Sequence, residues 1–232
     1  MEVKQPQLQI ARSYTPLPPR EGDDASNLRF LIRKEPNGEV SGYLHRLQVG
    51  GIVELRGPRT EIDLSNNVNK VVFLAGGTGI APALQLAHIL FERKGKDEDR
   101  PDIHIVWANR RREDCVGGGS VKVTLDSNYI VQELEGLRQK YPEYIKVDYL
   151  VDEEKAFLDQ KKISQLTKVS SEVKYGPRHE RIDSRLLILS GPEGFINYFA
   201  GPKRWEGGKE GQGEIGGVIG AMRLRDWKVW KL

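Results

Sequence analysis

Residues 71–90 read VVFLAGGTGIAPALQLAHIL. The first five are β-branched or otherwise apolar, the composition of a strand buried on both faces. Gly76-Gly77-Thr78-Gly79 then breaks the run, and residues 83–91 resume with the apolar spacing of a helix. A parallel strand that ends in a glycine turn before a helix is a phosphate-binding geometry. Glycines admit close approach of the backbone, and the helix N-terminus offers free N–H groups and partial positive charge. No Gly-Lys-Ser/Thr follows, so this is not a Walker loop. Pro82 stands where the last glycine of the dinucleotide fingerprint would fall. Proline is tolerated in a first helical turn, where the N–H it lacks has no intrahelical partner. The competing reading is a glycine-rich βα loop that binds nothing.

The same alternation continues downstream. Residues 103–108 and 145–151 read as strands around a helix at 130–140, and 186–190 as a fourth strand before Gly191-Pro192 and another helix. Strands alternating with helices imply a parallel sheet with right-handed crossovers. Residues 153–185 are charged and weakly patterned, a loop with one short helix. The tail at 202–220 is glycine-rich, and residues 225–232 close it compactly. Upstream, residues 1–65 are rich in turns, with short strand-like runs at 28–32 and 52–55, suiting a small antiparallel barrel or sandwich. The polar stretch 65–70 is the boundary. The expected architecture is therefore α+β in two domains: a partial antiparallel β-barrel over 1–66, then an α/β parallel-sheet domain over 70–232.

Lys plus Arg number 36 against 33 Asp plus Glu, for a net charge of +3 spread along all 232 residues. Nucleic acid is thus not an expected partner. An apolar fraction of 38% with 30% charged residues belongs to a globular chain rather than a disordered one. The single cysteine, Cys115, excludes an internal disulfide framework and is read as incidental. No metal centre is expected. No apolar run approaches the roughly 18 residues needed to cross a bilayer. The opening MEVKQPQLQIARSYTP has neither signal-peptide nor transit-peptide character, so this chain reads as soluble, without a targeting segment.

Arg12-Ser13-Tyr14-Thr15 places a cation, a ring and a hydroxyl on one extended strand, with Arg12 and Tyr14 on the same face by the period of two. A guanidinium clamps a pyrophosphate bidentately, and a neighbouring ring can stack on a flat heterocycle. Asn37-Gly38-Glu39-Val40-Ser41 reads as a turn presenting backbone donors and a hydroxyl. Alone, each of these is also a common turn or surface strand.

Their order is more specific. Arg-x-Tyr-Thr, Gly-x-Val-Ser, Gly-Gly-Thr-Gly-Ile-Ala-Pro and then Ser190-Gly191-Pro192-Glu193-Gly194-Phe195 resemble the ferredoxin–NADP reductase family, on its NADH–cytochrome b5 reductase side, over about residues 10–200. The resemblance implies a barrel domain holding FAD and an α/β domain holding NADH or NADPH. It places Arg12 on the FAD pyrophosphate, Tyr14 on the isoalloxazine, Thr15 near the redox-active nitrogen, and Gly38, Val40 and Ser41 on the flavin phosphates. Gly77, Thr78, Gly79 and Pro82 would line the pyridine nucleotide, with Gly191 and Pro192 beside it. Tyr14, Thr15, Thr78 and Ser190 would flank the reacting rings. Electrons would pass from NAD(P)H through FAD to a one-electron acceptor.

Three departures accompany the likeness, at Ser190, at the arginines and in the short stretch before Arg12, and the tail adds a further likeness. Ser190 stands where the family has a cysteine that assists hydride transfer, which implies slower turnover. Arg110, Arg111 and Arg112 follow the second parallel strand; they either grip an adenosine 2′-phosphate and favour NADPH or form a solvated charged loop. The tail, from Phe195 through Gln212-Gly213-Glu214 to Trp227 and Trp230, is similar to the fungal cytochrome c mitochondrial import factor family. That likeness implies the inner mitochondrial membrane on its intermembrane-space side, and haem or the cytochrome c assembly machinery as electron acceptor. It also implies a presequence, an anchoring helix and barrel strands upstream, where eleven residues precede Arg12 here. Trp227 and Trp230 either pack on the flavin or cap the core of the second domain. Two other functions stay open: a cytochrome b5 reductase-like enzyme with a different acceptor, and a redox-inert assembly protein that has lost flavin.

Overall fold

The computed structural model describes residues 1–20, 22–24, 26–64, 67–92, 100–119, 127–168 and 184–232. The N-terminal part is a three-stranded antiparallel sheet of β1 (Glu2–Gln5), β2 (Ile10–Ser13) and β3 (Glu54–Arg56), in the order β2-β1-β3. Helix α1 (Glu39–Arg46) lies against β1 and β2, with Val3 and Val40 buried at that seam. The arrangement is the antiparallel sheet expected of a partial barrel, with three local differences.

The strand expected at 28–32 is reduced to one bridge, Pro16 with Phe30, beside a single backbone bond from Leu17 N–H to the Arg29 carbonyl. Pro16, Pro18 and Pro19 have no N–H to donate, so a ladder cannot extend along this segment. The run at 52–55 forms a strand only from Glu54 to Arg56. Residues 37–41 are not a free turn: Gly38 is the N-cap of α1, and Ser41 lies within its first turn. Position 38 is tight, because a Cβ there would sit 2.5 Å from the Ser41 hydroxyl.

The rest of the chain forms a parallel sheet with helices on both faces. In chain order it comprises β4 (Lys70–Gly76), α2 (Ile80–Glu92), β5 (Asp102–Asn109), α3 (Tyr129–Lys140), β6 (Ile145–Val151), α4 (Gln160–Thr167), β7 (Arg185–Ser190) and α5 (Glu193–Ala200). A hairpin of β8 (Arg204–Glu206) and β9 (Lys209–Gly211), helix α6 (Gly217–Met222) and strand β10 (Lys228–Lys231) complete it. Strand order is β10-β7-β4-β5-β6, all parallel. Side chains alternate along each strand, so Phe73 and Ile105 face the α2–α3 layer while Val72, Leu74, Val106, Leu187 and Leu189 face the α4–α5–α6 layer. Val71 through Ala75 are fully buried, and each large side chain among them contributes roughly 1.5–3 kcal/mol. Within 153–185 the expected short helix is α4; residues 169–183 lie outside the described residues, as do 65 and 66 of the expected boundary.

The tail is more ordered than its composition suggests. Residues 228–231 form a full strand against β7, which the sequence reading left as an unassigned compact ending. Gln212 holds the outer edge of that strand: its Nε2 donates to the Lys231 carbonyl at 2.9 Å, and the Lys231 N–H donates to its Oε1 at 2.7 Å. The Lys231 side chain is buried and its ammonium donates to three carbonyls, Pro202 at 2.9 Å, Glu214 at 3.1 Å and Gly201 at 3.4 Å. Burial, then the nearby Lys203 charge, pull its pKa below the usual lysine value. The Trp227 indole donates to the Thr167 carbonyl at 3.1 Å and packs in the α4–α6 layer, and Trp230 packs against the opposite layer. Both tryptophans therefore cap cores.

The two parts meet through apolar and ionic contacts. Leu17, Leu31, Ile62 and Leu64 join the core beneath α2. Arg20 and Arg29 both contact the Glu133 carboxylate at 2.8 Å, and the Arg20 guanidinium lies 3.7 Å over the Tyr129 ring. Arg33 grips Asp114 with one nitrogen on both oxygens, at 3.0 and 3.2 Å.

Candidate functional site

The carboxyl ends of β4 and β7 are pressed together by their glycines. A Cβ on Gly76 would meet the Phe195 ring at 2.9 Å, and one on Gly79 would lie 2.1 Å from the Ser190 carbonyl oxygen. These two glycines are required by contact between chain segments. Gly77 is different: its φ is +53° and its nearest neighbour would be an Arg33 nitrogen at 3.6 Å. It supplies conformation and leaves open space above it. Residues Gly77–Gly79 wind as one 3₁₀ turn that runs directly into α2, placing Pro82 in the first turn of that helix. Trp107 fixes the turn from below, its buried indole donating to the Gly77 carbonyl at 2.8 Å.

Of the residues singled out from sequence, this brings Gly77, Thr78, Gly79, Ser190 and Gly191 to one crevice at the β4–β7 boundary. Thr78 is half-buried there, Ser190 is buried as the last residue of β7, and Pro192 is the exposed N-cap of α5. The crevice is where chain order reverses within the sheet, the usual ligand position in open α/β folds.

A second group lies on the N-terminal sheet. Strand β2 ends at Ser13, but the ladder continues one residue further: the Tyr14 N–H donates to the Met1 carbonyl at 2.8 Å and the Met1 amino group to the Tyr14 carbonyl at 3.0 Å. Thr15, half-buried, lies just beyond that ladder. Arg12 is exposed and donates only to the adjacent Ala11 carbonyl among the described residues, so most of its guanidinium is unused. Burial raises the Tyr14 pKa, with the Arg12 charge opposing and the Glu35 charge adding to the shift. Glu35 in turn meets the start of α1: its N–H donates to the Ser41 Oγ at 3.1 Å, and its carbonyl accepts from the Gly38 N–H at 3.0 Å. Arg12, Tyr14, Gly38 and Ser41 thus share one neighbourhood with Val40, which is buried beneath it.

Residues 33–35 connect the groups. Arg33 points to the glycine turn and Asp114, while Glu35, two residues on, bonds Ser41 through its backbone N–H and adds its charge to the shift at Tyr14. Sequence reasoning missed Arg33 because its partners, Gly77 and Asp114, are 44 and 81 positions away. Alternation with Leu31, which packs into the core, was the available signal.

At the end of β5 the three arginines separate. Arg112 is committed: Nε and Nη2 bond the Glu154 carboxylate, and Nη1 donates to the Gly118 carbonyl at 2.9 Å. Its pKa is raised chiefly by the Glu154 hydrogen bond. Arg111 makes an exposed pair with Glu113 at 2.7 Å, and Arg110 is exposed. Cys115 is fully buried, and burial raises its thiol pKa. Next to them Asn109 is buried, and neither atom of its amide has a hydrogen-bond partner among the described residues. An unmatched buried amide is expensive, about 1–3 kcal/mol for each group, and nothing in the sequence pattern pointed to it.

Residues 1–64 match the oxidoreductase FAD-binding domain family and residues 73–118 the oxidoreductase NAD-binding domain family. These matches indicate FAD and NAD(P)H as cofactors. NADH-cytochrome b5 reductase 2 of Kluyveromyces lactis is 25% identical over 230 residues, covering 96% of this chain and 67% of the relative. The chain spans 60% to 67% of the length of the NADH-cytochrome b5 reductase 2 relatives that it matches. Among solved structures, the cytochrome b5 reductase domain of Ulva prolifera nitrate reductase has a TM-score of 0.59 at 18% identity, covering all of this chain and 82% of that one. Ferredoxin-NADP+ reductase from Plasmodium falciparum has a TM-score of 0.54 at 17% identity, covering 81% of this chain and 69% of that one. The fold is that of both structures, an antiparallel sheet followed by a five-stranded parallel sheet. With both domain matches in order along the sequence, and with the relatives and the solved structures beside them, the comparisons support the ferredoxin reductase-like family.

Proposed function

We propose that this chain is an FAD-dependent oxidoreductase that passes electrons from a pyridine nucleotide to a one-electron, haem-type acceptor. Residues 1–66 would form its flavin lobe and 70–232 its nucleotide lobe. The observation that carries the reading is the shared segment 33–35, which meets Ser41 at the start of α1 through the Glu35 backbone N–H and lies beside the glycine turn through Arg33.

The residues present fit both groups. The unused guanidinium of Arg12 and the first-turn N–H groups of α1, an eight-residue helix, suit a pyrophosphate. Tyr14 is half-buried, and the Met1 ladder fixes the backbone that carries its ring. When bound, flavin accepts a hydride and releases electrons one at a time. The chain's own part is placement. Gly77 keeps the space over the turn open, and Trp107 fixes its height. The abutting β4 and β7 ends leave Ser190 buried and Thr78 half-buried at the crevice. Ser190 offers a hydroxyl at the position where the family pattern has a thiol.

For the electron donor, the end of β5 favours NADH. The three arginines there stand among five carboxylates, Glu113, Asp114, Asp152, Glu153 and Glu154. Arg112 is taken by Glu154 and Arg111 meets Glu113, so a 2′-phosphate would find little free positive charge. For the acceptor, two of the tail residues that resemble the cytochrome c import factor help fasten β10, Gln212 through its side chain and Glu214 through its backbone carbonyl. The relatives' name favours a cytochrome b5-type haem protein as the acceptor class, and haem during mitochondrial cytochrome c maturation is the second reading.

The test is anaerobic. The protein purified or reconstituted with FAD should be yellow, bleach on adding NADH faster than on NADPH, and then reduce cytochrome b5. Arg12→Ala should lose flavin while the nucleotide lobe stays folded. A chain that takes up no flavin, or a flavin that neither nucleotide bleaches, refutes the proposal.

A further inference from the structure

Ile103, Ile105 and Trp107 of β5 all enter the α2–α3 layer, and the first two bring only hydrocarbon. Trp107 is 2% exposed and carries an N–H into the same apolar space. A buried donor destabilises unless it is matched, and a phenylalanine would fill the layer without that obligation.

The match is the Gly77 carbonyl, at 2.8 Å. The same oxygen accepts from the Ile80 N–H as the helical turn begins, so both of its lone pairs are engaged on the core side. The Gly77–Thr78 peptide is trans, and in a trans peptide the carbonyl and the N–H point in opposite directions. Turning the Gly77 oxygen onto the buried indole therefore turns the Thr78 N–H away from the core, to the side where Gly77 leaves open space. It also removes a carbonyl dipole from the side on which an anion would approach. An N–H in a first helical turn has no intrahelical partner and is free for a ligand. Gly77, with a φ of +53° and no Cβ, imposes no orientation of its own on this peptide. The indole does.

The indole is braced in turn by β6 and α3. Its ring lies 6.0 Å from that of Tyr149, tilted by 55°. The Tyr149 hydroxyl donates to Glu135 Oε1 at 2.9 Å, and Glu135 Oε2 pairs with Arg138 at 2.6 Å. Burial, then the Glu135 charge, raise the Tyr149 pKa, so the hydroxyl keeps the proton it donates. Gly118 packs on the same ring, where a Cβ would lie at 2.4 Å.

We infer that Trp107 is a positioning residue for the pyridine nucleotide: by holding the Gly77 carbonyl toward the core, it presents the Thr78 N–H to the ligand's pyrophosphate. This rests on the proposed reading of the glycine turn as the nucleotide site.

The test titrates the full chain with ADP-ribose and with adenosine, which has no phosphate. Affinities are read by calorimetry, and the indoles by NMR on isotope-labelled tryptophan. The indole signal missing from Trp107 variants should shift with ADP-ribose in the unsubstituted chain and stay in place with adenosine. Trp107→Phe should weaken ADP-ribose by about 10-fold, the size of one hydrogen bond to a charged group, and leave adenosine unchanged. Exchanging Trp107 for β-(3-benzothienyl)alanine keeps the ring and its volume but replaces the N–H by sulfur. It should show the same loss, and it carries the test if the phenylalanine variant does not fold. Variants that bind ADP-ribose as tightly as the unsubstituted chain, or that lose adenosine in equal measure, overturn the inference and leave the nucleotide site standing. An unsubstituted chain that binds neither ligand overturns both.

Discussion

Replacing Gly79 by alanine tests whether the glycine turn is set by chain packing or only by a ligand. The added methyl would lie 2.1 Å from the Ser190 carbonyl oxygen, 2.4 Å from its carbon and 2.7 Å from the Gly191 nitrogen. All three are backbone atoms at the end of β7, which is hydrogen-bonded between β4 and β10, so no side chain can swing aside. Reaching the 3.4 Å of ordinary contact requires a shift of about 1.3 Å between the turn and β7. Interiors this closely packed transmit such a shift. Forcing a carbon into a filled space costs about 3 kcal/mol, the upper part of the overpacking range. At about 3 °C per kcal/mol for a domain of this size, the midpoint of thermal unfolding should fall by about 9 °C. Gly77→Ala is the internal control. It meets nothing closer than 3.6 Å but must hold a φ of +53°, a cost of about 1–2 kcal/mol and hence a few degrees. Thermal unfolding followed by far-ultraviolet circular dichroism, without added nucleotide, measures both. Equal losses, or a larger loss for Gly77→Ala, would refute the packing account.

The tail and the β5–β6 surface give two more expectations. Lys231→Met should remove the donor shared by the Gly201, Pro202 and Glu214 carbonyls and cost about 3 kcal/mol in a denaturant titration; a loss below about 1 kcal/mol would mean that water replaces the ammonium. Asp148 accepts from His104 at 2.9 Å and from Lys162 at 2.8 Å, and these bonds, His104 foremost, hold its pKa down at about 2. A carboxylate depressed in the folded state stabilises above its unfolded pKa of about 4, and that contribution is lost as pH falls from about 4 through about 2. Asp148→Asn should therefore lower stability near neutrality and flatten the acid limb between those values, read from urea midpoints across a pH series. An acid limb as steep as that of the unsubstituted chain would contradict the assignment.

Most of the parallel sheet was legible because its strands are buried on both faces and say so in composition. Val71–Ala75 and the run at 186–190 have no polar residue until Ser190. The N-terminal sheet was harder to read, since its strands are short and half-solvated, and prolines cancelled the ladder that the pattern at 28–32 suggested. Gly38 looked like a turn and is a helix cap, because nothing in a short polar stretch distinguishes the two before the helix that follows is seen. In the site, the glycines and Thr78 could be picked out by local spacing. Arg33, Trp107 and Asn109 could not, because each acts across the sequence: through Asp114, through the Gly77 carbonyl, and through the burial of an amide at the end of a strand. The three arginines look alike in the sequence and only the fold separates them, since Glu154, 42 positions on, holds Arg112.

The position of β10 has a consequence for how the chain is made. Synthesis delivers β4, β5, β6 and β7 in that order, and the growing sheet then ends in β7, an entirely apolar strand but for its termini. Its free edge stays uncovered on the ribosome until residues 228–231 emerge and Gln212 can fasten them. A nascent chain stalled or truncated before that point offers β7 to any passing strand, so the interval between translating Ser190 and translating Lys231 is the moment when this protein most needs a chaperone.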